Sequence, residues 1–299
     1  MLLAAGAASL VVVPGREASA AGRIQRHGGA LANVYLFSPD GNRATAFTHN
    51  RHGPEDKLAF APAWSPGGGQ IAFSETRCHS CSSELHIAKL GAPRDWLGRR
   101  IGYGFKPTWS PRGGRIAYVG AQGRIYSMDT RGRNRRLVVE GAIGNDDPAW
   151  SPDGTRIAFA RQLTASLWQI YSVRADGSGL KQVTRGSASA VNPCWSPDGR
   201  SLAFARQASS GLWQIAVVPA RGGTPRQLSD GRSSDADPTW SPDGSKIAFV
   251  RQDASATAVF VMAADGTHVR RLTPDRLNAV QPAWSPGGKE IALVQRHVH

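Results

Sequence analysis

Three polar residues, each followed fourteen positions later by an arginine, are the strongest candidates for chemistry in this sequence. The pairs are Asp147 with Arg161, Asn192 with Arg206, and Asp237 with Arg251. A guanidinium presents N–H donors in a fork that matches a carboxylate. Two interpretations stay open: each pair braces two strand ends, or the pairs together form a polar funnel that captures a carboxylate-bearing or peptide ligand.

Sequence motifs of enzymes are absent from the chain. The eight histidines are scattered, and there is no H-E-x-x-H, no G-x-S-x-G and no phosphate-binding loop. Asp147 and Asp237, with the amide oxygens of Asn192 and Gln281, could still offer oxygen ligands to a divalent cation. We expect no catalysis, no cofactor and no bound metal, with a cation-dependent hydrolase or lyase at this place as the alternative.

A repeated phrase positions these residues. DPAWSPDGTRIAFARQ begins at Asp147, and close variants begin at Asn192 and Asp237. In each unit a short strand ends in Trp, Ser-Pro-Asp-Gly turns the chain, and RIAFAR, WQIYSV and LKQVT read as three further strands. The repeat spacing of 41 to 45 residues is the length of a four-stranded propeller blade. It separates Trp64, Trp109, Trp150, Trp195, Trp240 and Trp284.

The two ends of the chain complete one another. The last unit, PAWSPGGKEIALVQR, stops after two strands, and NVYLFSPDGNRATAFT near the N-terminus reads as the missing two. Asp40 precedes Thr48 by eight residues, as Asp176 precedes Thr184. The sequence therefore predicts an all-β fold, a closed six-bladed β-propeller over residues 31–296 whose sixth blade joins two N-terminal to two C-terminal strands.

In this architecture the residues that precede the motif prolines surround one mouth of the central channel. They are Ala61, Lys106, Asp147, Asn192, Asp237 and Gln281. The second strands return to the same face, so we predict a binding site there. It consists of Asp147, Asn192, Asp237 and Gln281 with Arg161, Arg206 and Arg251. Trp168 and Trp213, where third strands begin, would either add an aromatic rim to this surface or pack between blades.

The repeat PAWSPDGTRIAFAR…IYSVRADGSGLKQVT resembles the TolB-type, WD40-like propeller repeat, also called the PD40 repeat, over essentially all of residues 31–296. The resemblance implies a six-bladed propeller and a periplasmic protein that binds envelope partners. Similar propellers precede the hydrolase domain of prolyl-oligopeptidase-like enzymes, so a stand-alone peptide-capturing relative is a third hypothesis. We expect a non-catalytic, monomeric binding platform for a protein or peptide.

The N-terminus predicts export. LLAAGAASLVVV is shorter than the ~20 residues of a membrane span, and a small-x-small site at Ala18–Ala20 follows it, so residues 1–20 read as a secretory signal. We expect a periplasmic, envelope-associated or secreted protein without an integral membrane segment. In an oxidising compartment Cys78 and Cys81 could form a local disulfide or remain thiols.

The charge balance is strongly basic. The chain has 36 Lys and Arg against 22 Asp and Glu, a net charge of +14. Such a surface favours polyanions, and an anionic envelope polymer is the second partner class that the sequence suggests. No nucleic-acid-binding module is recognisable, so specific nucleic-acid binding is not expected.

Overall fold

The computed structural model describes residues 32–48, 58–76, 82–92, 98–141, 143–252, 256–274 and 277–296. These residues form an all-β, propeller-like fold of four-stranded units, with one turn of 3-10 helix at Ala121–Gly123. No helix in these ranges has the length and apolar character needed to cross a membrane.

The strands form four sheets of four strands and one sheet of eight, in which Ala32 and Leu58 pair in parallel. We divide the larger sheet at this pair into two sets of four, and we call each set of four strands a blade. Blade 6 takes its last two strands from the start of the chain, namely β1 (Ala32–Phe37) and β2 (Ala44–Ala46). Blade 1 contains β3 (Leu58–Trp64), β4 (Gln70–Thr76), β5 (Glu84–Lys89) and β6 (Arg99–Tyr103). Blade 2 contains β7 (Phe105–Trp109), β8 (Arg115–Val119), β9 (Ile125–Asp129) and β10 (Arg136–Val139).

The remaining blades follow the same order. Blade 3 contains β11 (Asn145–Trp150), β12 (Arg156–Gln162), β13 (Trp168–Arg174) and β14 (Lys181–Gln182). Blade 4 contains β15 (Ala190–Trp195), β16 (Ser201–Gln207), β17 (Trp213–Pro219) and β18 (Arg226–Gln227). Blade 5 contains β19 (Ser234–Trp240), β20 (Lys246–Gln252), β21 (Thr257–Ala263) and β22 (Arg270–Arg271). Blade 6 begins with β23 (Ala279–Trp284) and β24 (Ile291–Arg296).

The two ends of the chain pair within blade 6. Strand β1 runs antiparallel to β24, with Val34 opposite Val294, and β2 pairs with β1. One hydrogen bond marks β1 as a third strand: the amide of Val34 donates to Thr48 Oγ1 at 2.9 Å, as the amide of Ile170 donates to Thr184 Oγ1 at 2.8 Å in blade 3. The first two described strands of the chain therefore follow β24 as the third and fourth strands beside β23.

The Ser-Pro-Asp-Gly turns form as the sequence predicts. In blade 3 the Ser151 carbonyl accepts from the Gly154 amide at 2.9 Å, and Asp153 accepts from the Thr155 amide at 2.9 Å. Gly154 has φ +73°, and a Cβ there would lie 3.2 Å from Pro111 Cγ of blade 2. Glycine thus meets both a left-handed backbone and a close approach between blades.

The motif tryptophans pack against the preceding blade. Trp195 of blade 4 is 9% exposed and lies in a cluster with Ala149 of blade 3, whose carbonyl accepts from the indole Nε1 at 3.1 Å. Trp64 of blade 1 donates in the same way to the Ala283 carbonyl of blade 6 at 3.0 Å. Each such side chain buries on the order of 150–250 Å². The contact between blades 6 and 1 therefore repeats the contact between blades 3 and 4.

Candidate functional site

A cavity of about 220 Å³ lies where the six innermost strands meet. It is lined in all six blades by the motif proline and the residue before it, which we call X. Every X residue has a left-handed backbone, with φ between 50° and 54°. These residues are Ala61, Lys106, Asp147, Asn192, Asp237 and Gln281. The cavity is the channel mouth that the sequence predicts, and we use that name for it below.

The backbone of each X-Pro step is a β-bulge. In blade 3, Asp146 faces Ala160 and Ala149 faces Ala158, so Asp147 and Pro148 together face one residue of the neighbouring strand. The same shift of register occurs in the inner strand of every blade. Proline has no N–H to leave unpaired, which suits it to this place. The bulge breaks the strand alternation and gives X a place on the channel wall.

A buried ion network spans blades 2, 3 and 4 at the mouth. Lys106 Nζ donates to Asp146 Oδ2 at 2.8 Å and to Asp147 Oδ1 at 2.5 Å. Asn192 Nδ2 donates to the other carboxylate oxygen of Asp147 at 3.0 Å. The Lys106 side chain is 8% exposed, so this network is largely removed from water. It ties together three blades that are separate in sequence.

Burial and crowding of like charges perturb this network. Removal from water, followed by the charge of Asp146, raises the pKa of Asp147 to about 7, although Lys106 opposes the shift. Burial by itself would lower the pKa of Lys106, but the charges of Asp146 and Asp147 outweigh it and raise that pKa. The ammonium therefore stays charged, and Asp147 takes up a proton near neutral pH.

The predicted Asp–Arg pairs are not the pairs that form. Asp147 contacts Lys106 and Asn192 of the neighbouring blades, while Arg161 lies opposite Asn145 with its guanidinium 5.7 Å from the Tyr171 ring centre. In neither register of this hairpin, before or after the bulge, does Asp147 lie opposite Arg161. The expectation of pairing within a blade is therefore wrong for Asp147.

The other two arginines also lie away from the cavity lining. Arg251 forms a two-pronged ion pair with Asp235, at 2.7 and 2.8 Å, instead of binding Asp237. Asp235 is fully buried; burial raises its pKa, and the hydrogen bonds and charge of Arg251 oppose that shift. Arg206 is exposed and lies opposite Ala190 rather than Asn192. The cavity thus lacks the forked donors that the sequence suggested.

The remaining predicted site residues divide into three groups. Gln281 lines the mouth, and its Oε1 accepts from the Ala61 amide of blade 1 at 2.8 Å. Trp213 is 8% exposed and packs against Ala205 and Ala236, and Trp168 is partly buried against residues of blades 3 and 4. Both tryptophans therefore pack between blades, which is the second of the two places that the sequence suggested. Cys78 and Cys81 lie outside the described residues.

Sequence reasoning missed Lys106 and Asp146 as a functional pair. Lys106 stood at a mouth position but carried no expected role, and Asp146 was the unremarked neighbour of Asp147. The signal was present: a lysine at X in one blade precedes two adjacent carboxylates at X and X−1 of the next blade. Only the packing of neighbouring blades brings these charges within hydrogen-bond distance.

The arrangement at the mouth is acidic overall. Asp146, Asp147 and Asp237 supply three carboxyl groups against the single ammonium of Lys106. Within the described ranges, no three His, Cys, Asp or Glu side chains are grouped as metal ligands. Lys106 already provides a cation for two of the carboxylates, which reduces their attraction for a divalent ion.

The repeats match a known family. A family model, the TolB beta propeller domain, matches residues 101–209 and 181–299, which together exceed half of the chain. The chain belongs to this TolB-like, PD40 family. No curated protein sequence matches it significantly.

Solved structures of this type share the fold. A protein assigned as TolB from Agrobacterium tumefaciens superposes with a TM-score of 0.74 at 24% identity, covering 91% of this chain and 100% of that one. TolB from Acinetobacter baumannii gives 0.70 at 20% identity, covering 86% of this chain and 66% of that one. An oligogalacturonate lyase in complex with manganese gives 0.58 at 15% identity, covering 89% and 83%. At identities of 24% and below, these similarities establish a shared fold and do not by themselves assign a function.

Proposed function

We propose that this protein is an exported, non-catalytic six-bladed propeller that binds a protein or peptide partner at its channel mouth. The observation that carries the proposal is the cavity lined by all six X-Pro steps, which concentrates fixed polar groups on an otherwise repetitive scaffold. Concave sites with a few positioned polar groups are the usual places for ligands. Family membership supports the propeller and suggests export, by analogy with TolB in the periplasm.

The proposed closed ring is supported by contacts between consecutive blades. The inner strands neighbour one another in the order β3, β7, β11, β15, β19, β23 and again β3. Arg99 of blade 1 donates to the Thr130 carbonyl of blade 2, and Arg226 of blade 4 to the Asp265 carbonyl of blade 5. A closed arrangement also explains why the Trp64 contact with blade 6 repeats the contact between blades 3 and 4.

The charges at the mouth indicate the chemistry of the partner group. Three carboxyl groups and one ammonium leave a negative balance at neutral pH, and Lys106 is already engaged by two of the three. We infer that the mouth accepts a cationic or N–H-rich group of the partner, such as an amino terminus, a lysine or an arginine. This reverses the carboxylate-binding funnel suggested by the sequence, because the arginines do not line the cavity.

The test places a second lysine side chain in the channel mouth to block it. Lys106 shows that a lysine fits the left-handed backbone of an X position, so Ala61→Lys places a second ammonium in the mouth at φ 51°. Gly67→Lys is the matched control, because Gly67 has open space around it and belongs to a Ser-Pro-Gly-Gly turn of the same blade. Both variants add one positive charge to blade 1.

Partners are captured from an envelope fraction of the source cells with each variant as bait. We expect Ala61→Lys to lose a partner that the unmodified protein and Gly67→Lys both retain. Retention by all three proteins would remove the mouth as the binding site. Synthetic peptides of the captured partner, with and without their basic residues, then test whether a cationic group is recognised.

The cation-dependent hydrolase or lyase remains the second candidate, favoured by one observation. The fold is shared with an oligogalacturonate lyase in complex with manganese. The hydrogen bonds from Lys106 to Asp146 and Asp147 weigh against it, because an ammonium already compensates these carboxylates. Titration calorimetry with Mn²⁺ and Ca²⁺ separates the two functions: stoichiometric binding that Asp147→Asn or Asp237→Asn abolishes would favour the enzyme.

A further inference from the structure

Exposed basic residues lie on or immediately before the outermost strand of every blade. In each four-stranded unit the first strand lies against neighbouring blades and the fourth lies at the opposite edge of the sheet. On or immediately before these fourth strands stand nine exposed basic residues, which we call the basic belt. They are Arg43, Arg99, Arg100, Arg135, Arg136, Lys181, Arg226, Arg270 and Arg271.

The belt lacks compensating carboxylates. None of the six fourth strands contains Asp or Glu. Arg100 bonds Glu84 of the adjacent strand at 2.8 Å, but Arg226 and Arg270 donate to backbone carbonyls. Arg135 lies 3.8 Å from the centre of the Tyr126 ring. Of the belt residues other than Arg271, only Arg100 forms an ion pair with a described carboxylate.

Protection of sheet edges explains only part of this pattern. Edge strands often carry lysine or arginine, which discourages pairing with other chains, and β14, β18 and β22 are also very short. A charge of either sign serves that purpose, so edge protection does not require one sign on all six blades. It also does not require two adjacent arginines at 99–100, 135–136 and 270–271.

We propose that the basic belt binds a flexible polyanion, a linear polymer bearing phosphate or carboxylate groups, which follows the outer wall from blade to blade. A belt on every blade suits a chain that bends around the molecule, whereas a flat lipid surface would meet the blades on one side only. Duplex DNA, with a persistence length of about 150 base pairs, is too stiff to follow it. The inference rests on the closed ring and is independent of the mouth.

The exposed neighbours of the belt argue against a nucleic-acid single strand. Single-strand binders alternate basic groups with aromatic side chains on which bases stack. The large exposed apolar side chains beside the belt include Leu137, Leu180 and Val269, which are aliphatic. Among the described residues, Tyr103 is the one exposed aromatic side chain in that set. The chemistry therefore fits a polymer without bases, bound through its charges.

The experiment compares two triple variants with the same change of net charge. The belt variant combines Arg43→Gln, Arg136→Gln and Lys181→Gln, because these side chains are exposed and make no hydrogen bond or ion pair with other described residues. The control variant combines Arg112→Gln, Arg200→Gln and Lys246→Gln, which lie in or next to Ser-Pro turns and are equally exposed. Both keep the unmodified mouth, so loss of belt binding and loss of mouth binding are separable.

Binding of long-chain inorganic polyphosphate is measured against salt concentration by fluorescence anisotropy. Each lost phosphate contact removes about 0.7 from the slope of log K against log salt, so the belt variant should lose about 2, with affinity about tenfold weaker or more. The control variant should bind like the unmodified protein. Equal weakening in both variants, no weakening in either, or binding to anionic phosphatidylglycerol vesicles but not to polyphosphate would overturn the proposal. Polyglutamate then shows whether carboxylates replace phosphates.

Discussion

Replacing Lys106 by methionine tests the ion network at the channel mouth. Methionine keeps the length of the side chain and removes the ammonium that bonds Asp146 and Asp147. The two carboxyl groups would then lie close together, largely buried and without their cation. Breaking a buried ion pair by removing one partner typically costs about 3–5 kcal/mol, and we expect a loss of that size near pH 8.

The loss of unfolding free energy caused by Lys106→Met should be smaller at acidic pH, and the pKa of Asp147 gives the direction of this pH dependence. The pKa of Asp147 is already raised to about 7 by burial and by Asp146, above the ordinary value of 3.8. Lys106 opposes that rise, so without its ammonium we expect the pKa of Asp147 to rise further. A group whose pKa is raised by folding stabilises the folded state below its unfolded pKa and loses that contribution as pH rises. Each unit of that further rise recovers about 1.4 kcal/mol of the deficit as the pH falls from the new pKa to 7.

Urea unfolding followed by tryptophan fluorescence at about pH 5 and pH 8 measures both effects. Lys246→Met is the control, because Lys246 is exposed and should change stability by less than about 0.5 kcal/mol at either pH. The reasoning fails if Lys106→Met matches this control near pH 8, or if its deficit is the same at both pH values. Either result would mean that the carboxylates of the mouth do not depend on Lys106.

Three further predictions concern the blades. Thr48→Val and Thr184→Val should each cost about 1–3 kcal/mol in urea unfolding, because each removes the acceptor of a buried amide; a cost for Thr184 alone would place the N-terminal strands outside blade 6. Ala61→Gly should leave the stability nearly unchanged, because glycine avoids the penalty of a left-handed backbone at φ 51°. Ala63→Gly in the same strand should cost about 1 kcal/mol. Equal losses of stability in thermal unfolding would contradict the left-handed backbone at Ala61. Hydrogen bonds from Ser241 and Ser245 lower the pKa of Asp243 to about 2, so its contribution is present above pH 3.8 and is lost as pH falls through 2. Asp243→Asn should therefore lose less than about 1 kcal/mol at neutral pH, given the exposure of the turn, and nothing near pH 2, as an acid titration of stability would show.

The pairing of Asp147 shows where sequence reasoning reached its limit. The repeat placed Asp147 at the mouth, and the cavity lining agrees. The count of fourteen residues then suggested Arg161 as its partner. The register set by Trp150 opposite Ile157 would place Asp146 opposite Arg161, and the bulge at Asp147-Pro148 moves that place to Asn145, while Asp147 contacts the neighbouring blades.

A comparable limit applies to charge. Composition showed a basic protein, yet the mouth is acidic, and nine of the exposed basic residues stand on or immediately before the fourth strands. The sequence holds both facts, because Lys or Arg recurs on or immediately before each fourth strand. The sign of a local field, however, depends on which side chains from different blades share a space, and spacing along one blade does not reveal that.

By itself the sequence determined the unit of the fold. A Trp strand, a Ser-Pro-x-Gly turn and an alternating second strand are local patterns, and their repetition and the split last unit specify four-stranded blades and the pairing of the chain ends. The tertiary structure alone decided which charges meet. Lys106, Asp147 and Asn192 come from three consecutive blades and lie 41 and 45 residues apart along the chain. Contacts of this kind arise from the packing of one blade on the next, and no periodicity within a blade encodes them.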